Sequence, residues 1–191
     1  MAPQNEPVPS KKFGPGLLLG AAALTAFLAV WEGGKSGDGS SVVYADKLAG
    51  GIPTVCNGIT RHVTSTPIIV GERWSAEKCS AEEHKALIAM QLKLERCFEF
   101  EPPQSVLNMA SSHAWNFGWP STCNSQAMVA WNHKDWVTGC NRLAVSQYGK
   151  YVWSYVKTGK IVNGKPEMKF VQGLANRRGA EAKNCAAGVP K

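Results

Sequence analysis

The stretch YADKLAGGIPTVCNGIT, residues 44–60, decides how the rest of this chain is read. Together with the two valines before it, it holds two short strand-like runs, Val42-Val43-Tyr44 and Pro53-Thr54-Val55-Cys56, on either side of Gly50-Gly51. β-Branched and aromatic side chains suit a pleated surface, and adjacent glycines supply the backbone freedom of a tight turn. A small hairpin is predicted here. Ile68, Ile69 and Val70 add one more short strand, ended by Gly71. Upstream, GGKSGDGSS over 33–41 has no apolar period and reads as a loop, with Asp38 in a solvated Gly-Asp-Gly turn.

Downstream the period changes. Ser75 and Ser80 are N-cap candidates, and Ser80 with Glu83 has the spacing of a capping box. Leu87, Met90 and Leu94, flanked by Ile88 and Leu92, then fall at helical spacing. This predicts a helix to about Cys97 that joins two lobes. Pro102-Pro103 interrupts the chain, and shorter helices are expected over 104–117, 125–132, 136–146 and 175–184. The Asn-Gly pair within GKIVNGKP, residues 159–166, predicts a hairpin turn. The expected fold is α+β: a small mixed lobe, then a larger helical lobe, with a cleft between them.

The composition is that of a globular protein, and 191 residues hold one domain plus an appendage. A formal charge of +7 points to an anionic partner. Nucleic acid is not expected, because no basic helix or aromatic RNA motif appears. The six cysteines, Cys56, Cys79, Cys97, Cys123, Cys140 and Cys185, lack the close spacing of a zinc site and suggest up to three disulfides in an exported domain. The sequence does not choose among their 15 pairings.

The N-terminus carries a different signal. Residues 1–12 are polar and proline-rich and end in Lys11-Lys12. From Gly14 to Trp31 no charge appears, over 18 residues diluted by glycine and alanine. That is the lower limit for a helix crossing a bilayer. The lysines favour an N-inside orientation with the remainder exported. A cleaved signal peptide is the alternative, but Trp31-Glu32 follows the apolar run where a small-x-small cleavage site belongs. The organisation expected is a cytoplasmic tail over 1–12, an uncleaved transmembrane helix over 13–31, and a folded domain over 32–191.

Glu32, Asp46 and Thr54 together hold what glycoside hydrolysis needs. One carboxyl group protonates the leaving oxygen, and a second, helped by a hydroxyl, holds a water on the opposite face of the sugar. By themselves an acid, an acid and a threonine within 23 residues are equally a solvated Glu, a turn Asp and a strand Thr.

Three spaced motifs add to this reading. YADKLAGGIPTVCNGIT resembles the Y-x-D-x-x-G-x-x-T-x-C-x-G pattern of the phage-type lysozymes, the muramidases of phage endolysins, and Glu32-Gly33 matches the E-G pair that precedes it. AWNFGWPSTCNSQAMVAWNHKDWVTGC resembles the family's N-x-G…S-T…G-C region, and GLANRRGAEAKNC its G-L-x-N-R-R-x-x-E-x-x-x-C ending. The resemblance spans residues 32–185 and implies a lysozyme-like fold and peptidoglycan as substrate. Carried over, Glu32 is the general acid, Asp46 orients or activates the attacking water, and Thr54 assists; Asn116 and Arg177 line or support the cleft. It implies no metal, no organic cofactor and a monomer.

Departures from the pattern accompany the matches. Residues 33–43 are extended, and two extra residues separate Asp46 from Thr54, so a bulge is expected if both are to face one site. Ile59 stands where the family often has His; His62 reads as a loop residue and His113 as a helix or core residue. Residues 14–31 resemble the signal-arrest-release segments of some endolysins. That resemblance implies export by the host secretion machinery, a stay in the host inner membrane and release to the periplasm. With no cysteine before Cys56, control by the position of Glu32 is expected rather than control by thiol exchange. The rival readings are a lytic transglycosylase on the same bond and a non-catalytic, membrane-tethered wall-binding protein.

Overall fold

The structure, a computed structural model, describes residues 21–32, 36–47 and 50–190. An N-terminal helix, α1 (Ala21–Glu32), leads into a small lobe of five short strands: β1 (Ser41–Val42), β2 (Tyr44–Asp46), β3 (Ile52–Val55), β4 (Ile59–Thr60) and β5 (Arg73–Trp74). The long helix α2 (Ala76–Glu95) crosses to a lobe of four helices, α3 (Gln104–Phe117), α4 (Trp119–Cys123), α5 (Gln126–Asn132) and α6 (Trp136–Asn141). A hairpin, β6 (Tyr155–Val162) with β7 (Lys165–Phe170), precedes the last helix, α7 (Gln172–Ala187). Strands β2, β3 and β4 form one antiparallel sheet, and β1 pairs with β5.

Each lobe has its own core. In the small lobe Val43, Val55, Ile59 and Trp74 pack around the Cys56–Cys79 disulfide and against Ala86 of α2. In the helical lobe Leu94, Phe98, Val106, Leu107, Trp131 and Leu143 form the centre. Cys97–Cys123 ties the end of α2 to α4, and Cys140–Cys185 ties α6 to α7. The pairing left open by the sequence is thus one disulfide in the small lobe and two in the helical lobe. By restricting the unfolded chain, each contributes about 3–4 kcal/mol for loops of this size.

The predicted strand at 42–44 is broken at Val43, whose backbone bonds to residues 71 and 72 while its neighbours pair elsewhere. Ile68–Val70 is not a strand. Ile69 and Val70 are exposed beside a turn closed by the Glu72 N–H on the Ile69 carbonyl, and pairing begins after Gly71, at Arg73. The predicted Ser80–Glu83 capping box does not form. Ser75 caps α2 by accepting from the Lys78 N–H, and Glu83 turns inward to accept from the Asn57 N–H at 3.0 Å. The helix predicted over 136–146 stops at Asn141. The Asn-Gly turn is as predicted, with Asn163 and Gly164 both at positive φ as a two-residue hairpin requires.

The apolar N-terminal segment behaves differently from the expectation. Residues 1–20 lie outside the described residues, and among those described no helix is long and apolar enough to cross a membrane. The described part, α1, is a 12-residue helix belonging to the domain. Leu24 and Leu28, one turn apart, are buried against Leu87, and Met90 and Trp115 pack on the same cluster. Phe27 reaches the core of the helical lobe. Burial of the two leucines stabilises the docked helix by roughly 2 kcal/mol each. Ala22, Ala23, Ala26, Ala29 and Val30 face outward, which explains why no hydrophilic face showed in the sequence. The transmembrane helix is therefore not supported by the described structure.

Candidate active site

Docking of α1 brings its last residue, Glu32, to α7. Arg177 Nη1 donates to Glu32 Oε1 at 2.5 Å, and the carboxylate side chain is 18% exposed. A carboxylate at a helix C-terminus opposes the helix dipole, so α1 by itself gains nothing from ending on Glu32. The guanidinium supplies the compensation. Arg177 is itself supported from beneath: its Nε lies 3.4 Å from Glu181 Oε1, one turn further along α7. The same Glu181 oxygen accepts from Arg178 Nη2 and from Ser112 Oγ, each at 2.6 Å. Glu181 is fully buried, and burial pushes its carboxyl up although both arginines and Ser112 oppose the shift. Burial in turn pushes Arg178 down to about 10, with Glu181 acting against it.

The second oxygen of Glu32 points towards the small lobe. A Cβ placed on Gly58 would stand 3.5 Å from Glu32 Oε2 and 3.2 Å from Trp115 Nε1. Gly58, at φ +89°, is thus needed for its conformation, and a side chain there would crowd Trp115 Nε1 while only touching the acid. Trp115 Nε1 donates to the Asn57 carbonyl at 2.8 Å. With the Asn57 N–H held by Glu83, the turn beside Glu32 is fixed from α3 on one side and α2 on the other.

Asp46 and Thr54 reach the same face of the β2–β3 pair. The register is Tyr44 with Thr54, Ala45 with Pro53 and Asp46 with Ile52. Opposed residues and alternate residues of a strand share a face, so Tyr44, Asp46 and Thr54 lie together. The expected bulge is not needed. The ladder is regular, and the extra length is taken up in the loop, which the Gly51 N–H closes on the Asp46 carbonyl at 2.7 Å. Thr54 is buried and donates its hydroxyl to the Ile52 carbonyl at 3.0 Å. Tyr44 links this face to Glu32: burial, then the charges of Asp46 and Glu32, push its phenol above the ordinary value. One phenol thus lies in the field of both carboxylates.

Beside this group a cleft of about 410 Å³ opens between the lobes. Gly58, Thr60 and His62 form its small-lobe wall, Met90 its floor on α2, and Trp115 and Trp119 the opposite wall. Of the residues expected from sequence, Glu32 and Arg177 are in direct contact, and Asp46 and Thr54 share one face. Asn116 stays exposed on α3 and makes no hydrogen bond to any of them. Arg177, expected to line or support the cleft, is buried and holds Glu32. Asp38 caps its own turn through Ser40, in keeping with a solvated role. His113 is a core residue beside Thr122 and Trp153, as expected, and burial pushes it down to about 3. Tyr44, Gly58, Trp115 and Glu181 were not singled out from sequence. Tyr44, Gly58 and Glu181 stand at fixed positions of the resembled motifs, whereas Trp115 left no signal there. Among the described residues no cluster of His, Cys, Asp or Glu is arranged to hold a metal ion.

Two lobes joined by a long helix, with an acid clamped at their junction and a carboxylate and threonine on a small sheet, define a lysozyme-like glycan-cleaving domain. The chain matches the phage lysozyme family over residues 35–181 and belongs to it. It is accordingly a glycoside hydrolase of the lysozyme type that acts on peptidoglycan. Glu32 lies just before the matched stretch, so its place rests on the geometry above and on the E-G pair.

Solved structures similar to this one include the endolysin of Escherichia coli O157:H7 phage FAHEc1, 21% identical with a TM-score of 0.64, over 94% of this chain and 97% of that one. The muramidase domain of SpmX from Asticaccaulis excentricus is 15% identical, with a TM-score of 0.62 over 94% and 99%. A variant of P22 lysozyme is 16% identical, with a TM-score of 0.58 over 91% and 97%. At these identities the likeness speaks for the fold. No curated protein matches the chain by sequence.

Proposed function

We propose that this protein is a phage endolysin that hydrolyses the β-1,4 bond between N-acetylmuramic acid and N-acetylglucosamine and so lyses the host. Glu32 protonates the leaving glycosidic oxygen through Oε2, while Arg177 fixes Oε1. Asp46 takes the proton of the attacking water, and Thr54 helps to hold that water on the same face. The observation that carries this reading is the clamp of Arg177 on Glu32 at the end of α1, beside Gly58 of the interlobe cleft, together with the placing of Asp46 and Thr54 on one face of the β2–β3 pair. The test is clearing of chloroform-treated Gram-negative cells by the parent and by Glu32→Gln. Clearing by the parent alone, with both proteins folded, supports the assignment. Equal clearing by both places the acid elsewhere.

The same reading includes control by the N-terminal segment. Residues 14–31 act as a signal-arrest-release segment, inserted through the host secretion machinery and held in the inner membrane until release to the periplasm. Its support is the double use of residues 21–31. They belong to the apolar run, and they also carry Leu24 and Leu28 into the core that positions Glu32. One segment does not occupy a bilayer and the domain at once, so release assembles the site. Fusion of the domain to a strong permanent anchor that leaves it fully lytic overturns this part.

A further inference from the structure

The β6–β7 hairpin is an arm with no core of its own. Every residue of β6 is exposed, and so is every residue of β7 except Glu167, which is half-buried. Only its foot is anchored, where the Val171 N–H bonds to the Ser154 carbonyl and Phe170 packs on Tyr151 and Tyr155. A two-stranded ribbon standing alone in water is marginal, and a row of exposed aliphatic side chains on it is an invitation to aggregate.

The arm's composition is selective. Its register pairs Tyr155 with Phe170, Lys157 with Met168 and, beyond a shift in β6, Ile161 with Pro166. Those six share one face, apolar but for Lys157. Ile161 is 67% exposed and Met168 50%, and Val162, beside the Asn163-Gly164 tip, is 50% exposed. Lys157 stands on this face, whereas Lys165 and Lys169, paired with Val162 and Val156, project from the other, and Lys160 sits at the register shift beside the tip; the arm has one acid, Glu167, which accepts from Thr158 Oγ1. None of the four lysines has an ion-pair partner among the described residues.

We propose that this arm docks on a phospholipid bilayer carrying anionic headgroups. Entering by its tip, the arm carries Ile161 on one face and Val162 on the other into the boundary of the acyl region, while Lys160 and Lys165 beside them, with Lys157 and Lys169 further back, reach phosphates on flexible stems. Branched aliphatic side chains at the tip are what distinguish this from a hydrated glycan ligand, which rewards amide and aromatic groups instead. The proposal does not depend on which residues are catalytic.

The test uses the full chain with vesicles of phosphatidylglycerol and phosphatidylethanolamine, and with vesicles of phosphatidylcholine. Residues 14–31 give a background on any lipid, so two differential quantities are read. One is the ratio of binding to anionic over neutral vesicles. The other is amide exchange within 155–170. The parent is expected to bind anionic vesicles about ten-fold better, with exchange slowed in the arm. Lys160→Gln with Lys165→Gln is expected to remove the preference, and Ile161→Ser with Met168→Ser the slowed exchange, both with the parent's thermal midpoint. Unchanged exchange in the arm, or double variants that behave as the parent, overturns the proposal. So does slowing of the same amides by wall sacculi without lipid, which assigns the arm to the wall.

Discussion

Two of the molecule's hairpins, β2–β3 and β6–β7, are built on the same local code and put to opposite uses. Both turn on residues at positive φ: Gly50 and Gly51 between β2 and β3, Asn163 and Gly164 between β6 and β7. The first is short, regular and laid on the small-lobe core through Val55 and Ile59 of the same sheet. The second is longer, shifted in register and exposed on both faces. Turn chemistry makes a hairpin; what lies beneath decides whether it holds atoms still. Only the first hairpin is rigid enough to present a carboxylate and a hydroxyl to a bond that must be broken.

The sharpest way to break this comparison is chemical. Asp46→Asn is expected to lower kcat on peptidoglycan by roughly 10²–10⁴-fold, the usual scale of a lost general base, with little change in KM. No single substitution in β6 or β7 is expected to change kcat by more than about two-fold. A folded Asp46→Asn enzyme with near-parental turnover removes the base from this hairpin and favours a mechanism that runs on one acid.

Stability gives the next largest difference. Ile59 is fully buried under the first hairpin, and Ile161 stands out from the second. Ile59→Ala is expected to cost about 2–5 kcal/mol in urea unfolding, through lost burial and the cavity left behind. Ile161→Ala is expected to stay within about 0.5 kcal/mol. Equal costs mean that the second arm packs on the domain after all.

The foot of the second hairpin is where its independence ends, and pH reads that boundary. His113 meets Trp153 edge-on, one residue before the anchoring Ser154, with ring centroids 4.6 Å apart. The groups that face it are Thr122, which shares a hydrogen bond, the rings of Phe117 and Trp153, and the charges of Arg178 and Arg177. Burial first, then those two arginines, hold His113 down at about 3, whereas the unfolded chain binds the proton near pH 6.5. The unfolded state therefore takes up a proton that the folded state refuses. Stability is full above about pH 6.5 and falls as the pH drops towards 3, by at most about 1.4 kcal/mol per pH unit. His113→Gln is expected to flatten this slope in urea titrations between pH 6 and 4, and an unchanged slope places its origin in other groups.

How much of this was legible in the sequence follows the same division between local and distant causes. The Asn163-Gly164 turn and helix Gln104–Phe117 are set by neighbouring residues and were read correctly. Ile68–Val70 has strand composition but no partner strand, which only the fold decides. The Ser80–Glu83 box failed because Glu83 is needed by Asn57, 26 residues away in sequence. The spaced motifs singled out Glu32, Asp46 and Thr54 as candidates, whereas the clamp of Arg177 on Glu32 spans 145 residues and depends on where α1 docks. An alanine-rich helix with no hydrophilic face gives the same sequence signal in a bilayer as on a protein surface, so hydropathy did not separate the two.

The smallest expected effect is also the one that isolates geometry from stability. Gly51 and Gly164 sit at φ +84° and +74°, and a Cβ on either would meet no atom within 4 Å. Alanine at each position therefore costs only the left-handed backbone, about 1–2 kcal/mol, with no clash to confuse the reading. The two variants are expected to lose similar stability in thermal unfolding. Their activities should differ. The Gly51 N–H closes the loop on Asp46, so relaxing that turn displaces the carboxylate, and a shift of about 1 Å in a reacting group is enough to slow catalysis substantially. Relaxing the turn at Gly164 moves only the tip of an arm that touches nothing in the cleft. Equal activities in two equally destabilised proteins mean that the closure of the first hairpin does not position Asp46, and its rigidity must then come from the sheet beneath it.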